Sequence, residues 1–156
     1  MKNNKGITLI ALVVTIIVLL ILAGVSIAML TGDNGILGRA KEASTQTAVT
    51  NARDEISMKV AECVTEYFAV SYAGANNTTY NASAETDTLD KYILNELKKL
   101  NLKDVEVKLG NAELKNATAP TGELKIQSKN DTSVYVTSTW SAGGKLSQWD
   151  NSKLTK

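Results

Sequence analysis

The sequence predicts an α+β fold in which a long amino-terminal helix, one half membrane-spanning and the other amphipathic, packs on a small antiparallel sheet of three or four strands. Three features support this: an uncharged apolar run near the amino terminus, helical periodicity after it, and apolar–polar alternation near the carboxyl terminus. Helices followed by consecutive strands are typical of this class. The predicted segments are a basic start at 1–6, a membrane helix at 7–31, a kink and stem helix at 32–73, and an α+β head at 74–156.

The membrane helix is predicted from the absence of charge. No residue from Gly6 to Gly32 is charged, and only small or hydroxyl residues interrupt the apolar run from Ile7 to Leu30. The 24 residues of this run would form a helix of about 36 Å, which exceeds a hydrocarbon core of about 30 Å. In lipid only a helix satisfies the backbone hydrogen bonds of such a segment internally. The run is therefore predicted to span a membrane.

The basic residues before this run predict its orientation. Lys2 and Lys5 directly precede the apolar segment, and positive charge favours the cytoplasmic side, so the head is expected outside the cell. A cleaved secretory signal is the alternative, with Ser26 and Ala28 as the small residues before the cut. Its apolar core usually has only about 7–15 residues, which is much shorter than this run.

The junction at positions 5–11 reads Lys-Gly-Ile-Thr-Leu-Ile-Ala. It resembles the class III leader of type IV pilins and type II secretion pseudopilins, and the resemblance extends to about Ala43. In that family a membrane aspartyl peptidase cuts after the Gly of a basic leader, and the new amino terminus is N-methylated. The resemblance implies a leader at 1–6, cleavage between Gly6 and Ile7, and methylation of Ile7. The residues that match the family's usual Thr-Leu-Ile are Thr8, Leu9 and Ile10.

One position departs from the family pattern. Ala11 stands where the family normally has a Glu, whose carboxylate is considered to pair with the amino terminus of a neighbouring subunit during assembly. A charge within an apolar helix needs such a partner, and an alanine does not. The departure leaves open whether the chain is a major or a minor subunit. The assembly helix implied by the resemblance runs from Thr8 through Leu9, Ile10 and Ala11 to Leu30.

The stem helix is predicted from Ile36 to Tyr72, after a Gly-rich turn signal at 31–35. Apolar residues recur along it every three or four positions, which predicts one buried stripe. The stripe consists of Val49, Ala52, Ile56, Val60, Cys63, Tyr67 and Val70. The opposite, solvent-facing side consists of Asp54, Glu55, Lys59, Glu62 and Glu66. Glu55 and Lys59 have the spacing of an i,i+4 ion pair.

The head begins with a polar loop at 74–88. A second helix is predicted from Thr88 to Leu100; its predicted apolar face consists of Leu89, Ile93, Leu97 and Leu100, and its outward residues are Lys91, Glu96 and Lys98. The period then changes to two, which predicts half-buried strands. The predicted strands are Val105–Leu109, Leu124–Gln127, Val134–Thr137 and, more weakly, Lys145–Trp149.

The composition argues against an enzyme. The chain has 156 residues, no His and one Cys, which excludes Ser-His-Asp and Cys-His catalytic sets and most zinc sites. Cys63 is interpreted as a packed thiol. Asp131 and Asp150 lack the spaced oxygen ligands of a calcium loop, so no metal or other cofactor is predicted. Trp140 and Trp149 are interpreted as core residues rather than binding anchors.

The leading hypothesis is a structural subunit of a type IV pilus-like filament or of a secretion or competence pseudopilus. The resemblance implies a prepilin peptidase, other pilin subunits, a platform protein with its ATPase, and membrane lipid as partners. Direct nucleic-acid binding is not expected, because the net charge is only +1 and no basic stripe carries stacking aromatics. The alternative is a membrane-tethered extracellular binding or sensor module, for which Ala11 is the supporting observation. A plain membrane anchor, with Gly6 present by chance, is a further alternative.

Overall fold

The computed structural model describes residues 5–32, 35–73 and 88–155, with side chains from residue 9 onward. Two helices occupy the first half of the chain: α1 is Lys5–Thr31 and α2 is Ile36–Ala73. A shorter helix, α3, is Leu89–Leu97. The chain divides into two compact units, which meet between Ala43 and Ser44 and are described separately. The polar loop predicted at 74–88 lies outside the described residues except for Thr88.

The second unit contains a five-stranded antiparallel sheet in the order β2-β1-β3-β4-β5. The strands are β1 (Val105–Leu109), β2 (Ala112–Glu113), β3 (Gly122–Ser128), β4 (Tyr135–Ser141) and β5 (Lys145–Leu146). The prediction of an α+β fold is confirmed, but the prediction of three or four strands is wrong. The missed strand, β2, has two residues, which is too short for an apolar–polar alternation to show.

The inner face of the sheet is made by residues that the alternation predicted. Val107 lies opposite Ile126, and Ile126 lies opposite Val136, so one apolar row crosses the three central strands. Ile126 and Val136 are fully buried, and Val107 is nearly so. Burying such side chains is the main favourable term for folding, at about 25 cal/mol per Å² of apolar surface removed from water.

α2 contributes the helical side of the same core. Six of the seven stripe residues predicted on α2 are buried, and Tyr67 is partly buried against the others. They belong to one apolar cluster with the inner face of the sheet. The predicted stripe is therefore confirmed, and it is the surface by which the long helix packs on the sheet.

The solvent-facing side of α2 is corrected at two positions. Lys59 forms an ion pair with Glu62, with 3.1 Å between its Nζ and Oε1, rather than with Glu55. Glu66 accepts a hydrogen bond of 2.6 Å from the hydroxyl of Tyr92 on α3. Glu66 therefore faces α3 rather than open solvent. Sequence spacing permits several such pairs, and tertiary packing selects among them.

α3 ends three residues before the predicted Leu100 and buries a wider arc than predicted. Tyr92, Ile93, Leu94 and Leu97 are all buried. Glu96, expected to face outward, is only 8% exposed, so that prediction is wrong. Its carboxylate is paired with the ammonium group of Lys99 in the turn after the helix, which offsets the loss of hydration.

Asp90 in the first turn of α3 holds the β4–β5 hairpin. Its carboxylate accepts hydrogen bonds from the backbone N–H groups of Gly143 at 2.9 Å and Gly144 at 2.8 Å. It also accepts one from the indole of Trp140, which is fully buried. Gly143 and Gly144 have φ angles of 82° and 69°, which side-chain-bearing residues adopt with strain. The interpretation of Trp140 as a core residue is confirmed.

The carboxy-terminal segment lies along β4 and ties the sheet to α2. β5 ends at Leu146, before the predicted end at Trp149. The Trp149 indole, partly buried against the core as predicted, donates to the Ser57 hydroxyl on α2 at 3.0 Å. A backbone bridge joins Thr137 to Asp150, and it covers part of the free edge of β4.

Candidate functional site

The candidate site is α1 together with the junction at its start. α1 begins at Lys5, so it includes the backbone of Gly6 and Ile7. The side chains of positions 5–8, including Thr8, and the whole of residues 1–4, including Lys2, lie outside what the structure describes. The cleavage and methylation expected at Gly6 and Ile7 therefore stay predictions.

The described surface of α1 is apolar on every side. Every side chain from Leu9 to Leu30 is exposed within the single chain. The exposed fractions include 65% for Leu9, 64% for Ile10 and 47% for Leu30. Soluble monomers rarely expose an apolar surface of this extent, which is typical of protein or membrane contacts. α1 is long and apolar enough to span a membrane.

The hydroxyl groups of α1 find their hydrogen-bond partners inside the helix. The hydroxyls of Thr15, Ser26 and Thr31 donate to backbone carbonyls three or four residues earlier, at 2.7–2.8 Å. A hydroxyl without a hydrogen-bond partner is unfavourable in hydrocarbon. A hydrogen bond to a carbonyl of the same helix removes this desolvation penalty without a partner helix. The polar side chains of α1 are therefore compatible with lipid on all sides.

Ala11 lies on this apolar surface and is exposed like its neighbours. From Leu9 to Thr31, α1 carries no acidic or basic side chain. Its lateral contacts are therefore limited to apolar packing and hydroxyl hydrogen bonds. No charge within this segment can fix the register of one helix against another.

The segment between α1 and α2 contains a glycine, Gly35, that the backbone geometry requires. A Cβ atom built on Gly35 would lie 2.8 Å from the carbonyl oxygens of Met29, Leu30 and Gly32. The N–H of Gly35 donates to the carbonyl of Gly32 at 2.6 Å. α1 ends at Thr31 and α2 begins at Ile36, which fits the turn signal at 31–35. Asp33 and Asn34 lie outside the described residues.

The head provides little reactive chemistry among its described residues. Cys63 is fully buried, and burial raises the pKa of its thiol to about 11, so the reactive thiolate is scarce near neutral pH. Asp131 Oδ1 accepts hydrogen bonds from the N–H and hydroxyl of Ser133. Asp150 accepts one from the N–H of Ser152, which lowers the pKa of Asp150. Both carboxylates stabilise turns, and the described residues contain no group of three metal-ligating side chains.

Sequence reasoning missed a cavity of about 230 Å³ in the head. It opens where the end of α3, strand β1 and the single helical turn at Leu114–Asn116 approach one another. Its apolar wall includes Leu97, Leu100, Leu102 and Leu114. Its charged lining consists of three lysines and two glutamates: Lys98, Lys115, Lys129, Glu106 and Glu113. These residues come from separate elements, so no local sequence pattern could have revealed the cavity.

Comparisons with protein-family models, curated proteins and solved structures found no match for this chain. The functional interpretation therefore depends on the residues and geometry described above.

Proposed function

We propose that the chain is a structural subunit of a type IV pilus-like filament or of a secretion or competence pseudopilus. The observation that carries the proposal is the Lys5-Gly6 junction at the start of α1, followed by a charge-free stretch whose apolar side chains are exposed on every side from Leu9 onward. A folded α+β head follows that helix. The combination supports a subunit that polymerises through its amino-terminal helix and displays its head.

The proposed mechanism has a storage step and an assembly step. In storage, α1 spans the membrane and its apolar side chains contact lipid. In assembly, an ATPase-driven platform moves the subunit into a filament, where copies of α1 exchange lipid contacts for helix contacts. Because lipid and side chains are similarly apolar, this exchange depends on close packing rather than on the hydrophobic effect. The subunit itself catalyses nothing.

Leader removal has a physical reason in this mechanism. Lys2 and Lys5 carry positive charges that anchor the precursor at the cytoplasmic surface. In an apolar filament core each ammonium group would lose its hydration, at a cost of several kcal/mol. A prepilin peptidase that cuts after Gly6 would remove both lysines and leave Ile7 as the methylated amino terminus.

Ala11 is compatible with the proposed role but changes how subunits would be aligned. A subunit lacking the carboxylate at this position has no buried charge to satisfy and no charge-based signal for its register. We assign its alignment to packing along α1 and to contacts between heads. Whether the subunit is major or minor then depends on how many copies a filament contains.

Mass spectrometry of the mature protein tests the proposal directly. The expected result is a chain that begins at N-methylated Ile7 and is recovered both from the membrane and from sheared surface filaments. An intact Met1 in every fraction would overturn the proposal. A chain beginning at Met29 would also overturn it, because that start indicates cleavage after Ala28 by a secretory signal peptidase.

A membrane-tethered extracellular binding module is the second candidate. Ala11 favours it because the chain lacks the carboxylate that pairs with a neighbouring subunit in the family it resembles. The cavity in the head also offers a place for a ligand. This candidate predicts that the protein stays in the membrane fraction and is absent from sheared filaments. It also predicts no genes for a prepilin peptidase, an assembly ATPase and a platform protein in the source genome.

A further inference from the structure

The solvent side of α2 carries an exposed apolar side chain between two acidic ones. Met58 is 73% exposed, although most methionines are at least partly buried. Glu55 and Glu62 are also exposed, and the spacing of 55, 58 and 62 places the three on one side of the helix. We call this group, Glu55, Met58 and Glu62, the acidic knob.

The charge of the acidic knob is only partly neutralised by its surroundings. The Nζ of Lys59 lies 3.1 Å from Glu62 and is the nearest cation to that carboxylate. Glu55 forms no hydrogen bond or ion pair with the residues that the structure describes. Asp54 borders the same surface, where it pairs with Arg53 at 2.8 Å. The surface around Met58 therefore keeps an excess of negative charge.

The cavity in the head has the opposite character. Lys98, Lys115 and Lys129 line it, and none of them has a side-chain partner within the described part of the chain. Two acidic residues also line the cavity: Glu106 is paired with Lys108 at 3.3 Å and accepts a hydrogen bond from Gln127, and Glu113 accepts one from Asn116 at 3.5 Å. Since Glu106 already has its own cation, the three lysines outnumber the one remaining carboxylate. The cavity has a leucine-rich wall, and its volume of about 230 Å³ has room for a flexible methionine side chain. We call it the lysine-rimmed cavity.

We propose that the acidic knob of one copy of this chain docks into the lysine-rimmed cavity of a second copy. Met58 fills the leucine-walled cavity, and Glu55 and Glu62 approach the lysines at its rim. An apolar centre with a charged rim is the usual anatomy of a protein interface, and opposite potentials fix its register. The two surfaces lie on the same chain, so each copy supplies one knob and one cavity.

This contact deepens the proposed function and rests on it, since it names how the heads of neighbouring subunits meet. Copies anchored by α1 share one membrane or one filament, which raises their effective concentration. A contact too weak to hold free monomers together is then sufficient. The contact also supplies the register information that Ala11 removes from α1.

Cysteine cross-linking on the full-length chain in membranes of producing cells tests the contact. One tagged copy carries Met58→Cys and a second copy, with a different tag, carries Lys115→Cys; both are treated with a short thiol-reactive linker. The expected result is a heterodimer containing both tags. Unsubstituted protein reports any reaction at Cys63, and Met58→Cys on both copies reports contact between two knobs.

Charge reversal makes the test specific. In the cross-linking pair, Glu55→Lys with Glu62→Lys on the knob copy should lower the heterodimer yield at least about tenfold, because like charges then face each other. Lys98→Glu with Lys129→Glu on the cavity copy should do the same. Combining the reversed knob with the reversed cavity should restore the yield, which a misfolded variant would not do. The matched control is Glu123→Lys, an exposed reversal on β3 that should leave the yield unchanged.

The outcomes separate this contact from the proposed function. Three results would each overturn the contact. The heterodimer yield could be equal in all charge variants, or it could fail to recover when the reversed knob and the reversed cavity are combined. Alternatively, two Met58→Cys copies could cross-link as well as the Met58→Cys and Lys115→Cys pair. If the chain begins at methylated Ile7 and enters filaments without this cross-link, the contact is wrong and the proposed function stands. If the cross-link forms on a chain that keeps Met1 and makes no filaments, the proposed function is wrong.

Discussion

The two long helices of this chain differ in how their apolar side chains are covered. From residue 9 onward α1 is exposed on every side and has no charged side chain. From residue 44 onward α2 buries one stripe in the core of the head and carries charges along its flanks. The difference teaches that an apolar residue has no fixed role in a helix. Its role depends on whether the same chain provides a surface to cover it.

Leu20 and Ile56 illustrate the point. Leu20 on α1 is 68% exposed, whereas Ile56 on α2 is completely buried. The head itself covers Ile56, whereas Leu20 is left exposed on α1. The following predictions break or sharpen this comparison, beginning with the largest effect.

The largest effect is expected at the start of α1. Gly6→Val should abolish processing, because a β-branched side chain next to the scissile bond obstructs the peptidase and restricts the backbone. An immunoblot should show the variant six residues larger than the mature wild type and missing from filaments. Gly24→Val is the matched control, because a Cβ at Gly24 meets nothing within 4 Å. Equal full-length mobility of wild type and Gly6→Val would contradict the proposal.

The next effect concerns the buried stripe of α2. Ile56→Ala should lower the free energy of unfolding of the head by about 2–5 kcal/mol, because it leaves a cavity in the core. Met58→Ala, two residues along the same helix but 73% exposed, should change it by less than about 0.5 kcal/mol. Urea denaturation of the full-length protein in detergent, followed by tryptophan fluorescence, measures both. Similar losses for the two variants would show that the solvent side of α2 is covered.

A charge introduced into α1 should act through the membrane rather than through the head. Replacing Ile17, Leu20 and Ile21 together by Arg should disfavour insertion by about 7.5–10.5 kcal/mol, because each arginine near the centre of a membrane helix costs about 2.5–3.5 kcal/mol. One arginine would be outweighed by the other leucine, isoleucine and valine residues of the run, whereas three are not. Thr65→Arg, on the exposed side of α2, should leave insertion unchanged. Carbonate extraction of membranes reports the fraction inserted. If both variants stay fully inserted, α1 does not lie across the hydrocarbon.

The smallest effect is the pH dependence contributed by Cys63. Burial raises its pKa in the folded head from the ordinary thiol value of 9.0 to about 11, so the unfolded chain releases this proton first as the pH rises. The contribution of the protonated thiol to stability is therefore complete below pH 9 and decreases between pH 9 and 11. In the same denaturation assay, the free energy of unfolding of Cys63→Ala should decrease less steeply between pH 9 and 11 than that of the wild type. An identical slope would indicate that the thiol is accessible to solvent.

The processing junction stays a prediction, and it can be proposed from the sequence because its signals are local. Gly6 and Ile7 are adjacent, and the charge-free run that follows is continuous. The cavity and the acidic knob could not be predicted in this way. Lys98, Lys115 and Lys129 are far apart in sequence and meet only because β1, α3 and the turn after β2 converge. The exposure of Met58 depends on which side of α2 the sheet covers.

The sequence by itself determined the elements whose cause is periodicity or composition. These are the apolar helix α1, the buried stripe of α2 and strand β1, whose predicted and observed bounds are both Val105–Leu109. Tertiary structure decided the two-residue strand β2, the pairing of Lys59 with Glu62, and the burial of Glu96. The physical reason is that periodicity reports which side of an element is apolar. Only packing decides how wide an arc is covered and which of several charged neighbours come within ion-pair distance.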